Sequence, residues 1–124
     1  MTLQIETFSD ADYRETFIAD PLISLAPFNI RMMLRRNAAD ATVYLDLTTM
    51  NGGIGKIPDV PATTDVAAVI GRYEVIIGQV QLLRLPVGVY VFSVIATDTV
   101  RRIEVGRGKF THSAGPTRWA TASL

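Results

Sequence analysis

An all-β fold, two sheets packed face to face, is what this chain of 124 residues predicts. Three observations carry that expectation. Tyr90, Phe92 and Val94 alternate with Val89, Val91 and Ser93, with β-branched or aromatic residues at nearly every place, the period-two mark of a half-buried strand. Ile30, Met32 and Leu34 alternate in the same way with Asn29, Arg31, Met33 and Arg35. No segment offers the strand–helix–strand unit that a parallel crossover needs.

Taken in order, residues 1–9 read as an extended N-terminal arm with no helical period. Asp10 to Ala19 reads as a strand whose apolar members are Tyr13, Phe17 and Ile18. A short helix competes there, since Asp10 or Asp12 would cap it and Glu15 would sit in its first turn. Asp20-Pro21 favours a turn or an extended step. Phe28 to Arg36 and Thr42 to Thr48 form a hairpin around the Asn37–Asp40 turn, with Val43, Leu45 and Leu47 inward on the second strand.

Met50 to Pro61 is the Gly/Pro-rich loop, with room for one short strand at Ile54 to Ile57. Thr63 to Ile70 is ambiguous: Thr64 or Asp65 suits the cap of a single helical turn that Gly71 would end. Arg72 to Ile77 is a strand, and Gln79 to Leu83 a short turn or helix. Leu85 to Asp98 and Thr99 to Phe110 form the closing hairpin, with Gly106-Arg-Gly108 marking a bulge or turn beside it. Residues 111–124, rich in Thr, Ser, Ala and Gly, read as a C-terminal arm. The sum is about six to eight strands in one sandwich domain over residues 10–110, with arms at 1–9 and 111–124.

Composition narrows the function. Apolar residues are 48% of the chain, more than a small domain hides easily, so contacts with partners or with further copies are expected. Cysteine is absent, which excludes a disulfide framework and thiolate chemistry. The first residues lack the basic and apolar regions of a secretory signal, and the longest apolar run, Leu85 to Ala96, is too short for a membrane helix. A net charge of zero argues against a dedicated nucleic-acid binder. The charge is nevertheless unevenly placed. Glu6, Asp10, Asp12, Glu15 and Asp20 outweigh Arg14 at one end, and Arg101, Arg102, Arg107, Lys109 and Arg118 outweigh Glu104 at the other. Such ends either steer neighbouring subunits together or pair within one chain.

No residue set carries catalysis, a cofactor or a metal. His112 is the lone histidine, no nucleophile elbow accompanies Ser113, and a surface position at a strand end is expected for the ring. Asp10 and Asp12 lack the spacing and closing glutamate of a calcium loop. Gly52-Gly-Ile-Gly-Lys56 has the wrong spacing for a phosphate loop and no hydroxyl residue after the lysine. The candidate functional positions are therefore interface positions. Arg31, Met33 and Arg35 form a cationic and apolar stripe on the outward side of one strand, residue types that interfaces favour. Trp119, a large ring on a small-residue arm, either anchors in a partner's pocket or folds back on its own core.

Three segments resemble a known family. Pro21-Leu-Ile-Ser-Leu-Ala-Pro-Phe-Asn-Ile-Arg-Met-Met-Leu-Arg35, Leu85-Pro-Val-Gly-Val-Tyr-Val-Phe-Ser-Val94 and Val105-Gly-Arg-Gly-Lys-Phe110 look like the strands of the small immunoglobulin-like β-sandwich domains of bacteriophage baseplate and tail-fibre proteins. The likeness covers most of residues 10–112 and rests on strand alternation plus the proline–glycine–tyrosine turn. Family domains usually precede a long fibre or receptor-binding region, which this sequence does not contain. The resemblance implies an immunoglobulin-like antiparallel sandwich that is not an enzyme. It would be a structural virion subunit in tail, baseplate, fibre-anchoring adaptor or head/tail decoration, made in the host cytoplasm and assembling with itself and other virion proteins. A carbohydrate-binding sandwich contacting a host-surface glycan is the competing expectation, with Trp119, Tyr44 and Tyr73 as its few stacking rings.

Overall fold

The computed structural model describes residues 2–115, which form two sheets packed as a β-sandwich. The elements are β1 (Leu3–Phe8), β2 (Tyr13–Ile18), β3 (Asn29–Arg35), β4 (Leu45–Thr48), β5 (Ile54–Lys56), β6 (Arg72–Ile77), a short helix α1 (Gln79–Arg84), β7 (Gly88–Thr97) and β8 (Arg102–Ser113). One sheet has the order β1-β8-β7-β3-β4, and the other β2-β6-β5. Every pairing is antiparallel except that of β1 with β8, which is parallel.

Alternation decides what each sheet buries. Ile30, Met32 and Leu34 from β3, Tyr90, Phe92, Val94 and Ala96 from β7, and Tyr73, Val75 and Ile77 from β6 meet in one core with Phe28, Leu47 and Phe110. Each buried Ile, Leu, Val, Met or Phe side chain among them contributes about 1.5–3 kcal/mol by leaving water. Rings organise the centre: Tyr90 lies edge-on to both Tyr44 and Phe110, and Phe17 stacks on Tyr73 at 5.8 Å. The Tyr90 hydroxyl donates to the Pro86 carbonyl and so fixes the corner leading into β7. Arg36 covers that corner, its guanidinium 4.3 Å from the centre of the Tyr90 ring. α1 is held from outside, because the Gln79 amide donates to Asp12 Oδ1 at 2.6 Å.

Several sequence expectations are corrected. Residues 3–8 are not a free arm: Ile5 and Thr7 point inward, Gln4 and Glu6 outward, and the segment is an edge strand of the larger sheet. Residues 111–113 likewise belong to β8, which runs to Ser113, and the expected arm from residue 116 onward lies outside the described residues. Residues 10–19 resolve in favour of the strand, β2. The second strand of the early hairpin is only Leu45–Thr48; Asp40 Oδ1 takes the Thr42 amide at 3.0 Å, and Val43 is exposed. Thr63 to Ile70 forms no helical turn. Instead Thr63 Oγ1 accepts the Val66 amide at 3.1 Å while Val60 and Val69 pair in a single antiparallel bridge.

The bulge expected near Gly106-Arg-Gly108 lies at Val105. Val94 faces Gly106 and Ile95 faces Glu104, so Val105 has no partner across the ladder. Its carbonyl instead accepts the Asp20 amide at 2.9 Å, tying β8 to the chain leaving β2. Two glycines follow for lack of space. A Cβ on Gly106 would lie 2.8 Å from the Tyr73 hydroxyl, and one on Gly108 would lie 1.9 Å from the Leu3 carbonyl oxygen.

Gly108→Ala is therefore expected to push β1 off β8 and cost about 3 kcal/mol, the upper range of overpacking, read as a lowered Tm. Tyr90→Phe should cost about 1 kcal/mol through the lost bond to Pro86. Tyr73→Phe removes a buried hydroxyl that finds no hydrogen-bond partner among the described residues and should be neutral or stabilising. Paired thermal melts separate the two tyrosine variants, and a larger loss for Tyr73→Phe would contradict this account.

Candidate functional site

The outer face of the five-stranded sheet is where the exposed chemistry collects. Register places residues in rows across it. Gln4, Lys109, Val91 and Arg35 form one row; Arg107, Ser93, Met33 and Asp46 form the next; Glu104, Ile95, Arg31 and Thr48 form a third. Down the middle runs β7, whose outward residues from the Val87 position onward are Val89, Val91, Ser93 and Ile95, with Val87 and Val89 at least half exposed. Between β3 and β8 this face dips into an open groove of about 560 Å³. Val91 and Ser93 form its floor, and Met33, Arg35, Glu104, Arg107 and Lys109 its sides.

Charge on this face is only partly cancelled. Arg31 binds Asp46 through two hydrogen bonds of 2.9 and 2.7 Å, and the guanidinium holds the Asp46 carboxyl below its ordinary pKa. Arg107 Nε meets Glu104 Oε1 at 2.6 Å. Arg35 spends one N–H on the Asp40 carbonyl at 2.8 Å and lies against the Met33 sulfur. Among the described residues neither Arg35 nor Lys109 takes part in an ion pair. Two cations thus flank Val91 without a carboxylate between them.

The stripe of Arg31, Met33 and Arg35 lies on one face as the alternation requires, Arg31 exposed and the other two half-buried. Val91 and Ser93 join it from β7, and Arg107 and Lys109 from β8, where the sequence marked them only as part of a basic end and not as neighbours of the β3 stripe. The obstacle was the bulge at Val105, which shifts the phase of β8 so that odd-numbered Arg107 and Lys109 share a side with even-numbered Glu104. Trp119 lies outside the described residues.

His112 is corrected outright. It is 1% exposed and sits among β1, β8 and α1, not on the surface. Thr7 Oγ1 is hydrogen-bonded to Nδ1 at 2.8 Å and Ser9 Oγ to Nε2 at 3.1 Å. A serine beside an imidazole is a nucleophile–base pair in outline, but a ring so enclosed offers a substrate no approach. Its place is structural: it joins the parallel strands by side chains as well as by backbone. Burial pushes the His112 pKa down, and a hydrogen bond to the Leu82 backbone opposes that only in part. Among the described residues no group of three or more His, Cys, Asp or Glu side chains is placed to hold a metal ion.

No protein-family model matches the chain, and no curated protein matches it in sequence.

The depressed His112 pKa has a definite consequence for stability. The unfolded chain takes up the proton near the ordinary value of 6.5, the folded chain only at lower pH. Stability contributed by the neutral ring is therefore complete above about pH 6.5 and is lost as pH falls through the folded-state value. Thermal melts between pH 8 and pH 5 should show that decline, and His112→Gln should flatten it; equal slopes would contradict the assignment.

Proposed function

We propose that this protein is a non-enzymatic assembly subunit, an immunoglobulin-like sandwich serving as a structural component of a bacteriophage virion in tail, baseplate, fibre-anchoring or decorating position. The observation that carries the reading is the exposed face just described, an apolar β7 stripe between uncancelled cations. Such a face suits a protein partner, because apolar area supplies affinity and charge supplies orientation.

The immunoglobulin-like part of the reading has two supports. The order β8-β7-β3-β4 opposite β2-β6-β5 fits the strand arrangement of that sandwich class, and the Tyr90–Pro86 hydrogen bond lies where such domains carry a tyrosine corner. The virion part rests on the resemblance of three segments, which supply β3, β7 and β8, neighbouring strands of one sheet. The glycan-binding alternative draws no comparable support. Tyr73 is buried in the core, and Tyr44 is packed against Tyr90 and Arg36.

Native mass across a concentration series tests the reading. A discrete multiple of the 13.6 kDa chain, growing with concentration, is the expected result. A strict monomer at every concentration would overturn self-assembly.

A further inference from the structure

The segment between β5 and β6 is a second unusual surface. Residues 58–69 are all exposed, yet they are stitched into a defined finger. The Val60 and Val69 amides exchange hydrogen bonds of 2.8 and 2.9 Å, the Thr63 amide donates to the Val66 carbonyl at 2.8 Å, and Arg72 clamps the base through the Pro58 carbonyl at 3.1 Å. The finger displays Val60, Val66 and Val69, with Val66 60% exposed. Between Lys56 and Arg72 its only charges are Asp59 and Asp65. An ordered, apolar, purely acidic projection complements the groove of Val91, Met33, Arg35 and Lys109, in which the carboxylate of Glu104 is already engaged by Arg107.

The finger springs from the three-stranded sheet, whereas the groove opens on the outer face of the five-stranded sheet. Groove against groove would set Arg35 and Lys109 against their own copies, which disfavours a two-fold contact through this face. We propose that the 58–69 finger of one copy seats in the β3–β7–β8 groove of the next. Apolar valines meet Val91 and Met33, and Asp65 lies towards Lys109 or Arg35. This names the contact within the assembly reading above and rests on that reading. The contact is head-to-tail, so it propagates into a ring or a filament according to the angle between copies. A finger this small buries less than a standard interface, so a single contact is weak and assembly depends on concentration and on low salt.

The test uses two variants that each add a cation, Val66→Arg on the finger and Val91→Arg in the groove. Circular dichroism should show the same β signal as the parent for both. Lys109→Glu, on an exposed side chain, replaces Val91→Arg if that variant misfolds. In native-mass measurements each variant alone should need at least tenfold more protein for half-assembly than the parent. Mixed one to one, Val66→Arg and Val91→Arg should form a dimer and nothing larger, because one good finger and one good groove remain. Val66→Arg assembling like the parent, groove variants assembling like the parent, or a mixture that stays monomeric would each overturn the contact while leaving assembly through another surface standing. A parent chain that never associates would overturn both the contact and the reading beneath it.

Discussion

One residue without a partner, Val105, governs much of this sandwich. The β7–β8 ladder is the longest in the protein, and the extra residue in it reverses which side of β8 faces the core. Beyond the bulge Phe110 and His112 turn inward while Arg107 and Lys109 turn outward. The same irregularity frees the Val105 carbonyl to take the Asp20 amide, which anchors the exit of β2 from the opposite sheet. Removing the bulge would invert the strand face by face. It would drive two cations into the core and leave the imidazole and a phenyl ring in water.

The closeness of packing on either side of that point explains the composition of β8. Gly106 and Gly108 are sites where side chains have been given up so that Tyr73 and the β1 backbone can approach. Glycine in a strand normally weakens it, so the loss must be offset locally. The offset is visible in the full burial of Tyr73 and in the polar link from Thr7 and Ser9 to His112. At the other sheet's edge the compromise is different. Glu15 lies on the same side of β2 as Tyr13 and Phe17 but remains exposed, its carboxylate accepting the Tyr13 hydroxyl, and a charge so placed discourages strand addition.

The parts legible in the sequence were those whose signal is local. β3, β6 and α1 fall within a residue of where alternation and punctuation put them, and the inward members of β3 are the buried ones. β7 begins three residues later than expected, and β8 lies three residues further on at each end. β1 was missed because its partner is β8, and pairing at that separation leaves no nearby mark beyond a short alternation. The hairpin strand β4 was overextended because Val43 continues the pattern after the backbone has already turned under Asp40 and Thr42. His112 was misplaced for a related reason, since a polar residue near a strand end reads as exposed until the neighbouring hydroxyls are known. Of the outer face, the β3 stripe was readable, but its continuation onto β8 required the bulge and the strand order together.

The parallel pairing of β1 with β8 also bears on the order of events during synthesis. Thr7 and His112 are hydrogen-bonded across a separation of 105 residues. β1 is thus synthesised well before the strand it pairs with, and until β8 follows its backbone has no ladder to join. Closure of so long a loop makes folding slow relative to proteins built on local contacts. Until β8 is made the growing chain therefore carries an unpaired, partly apolar strand, a period in which chaperone access matters more than final stability.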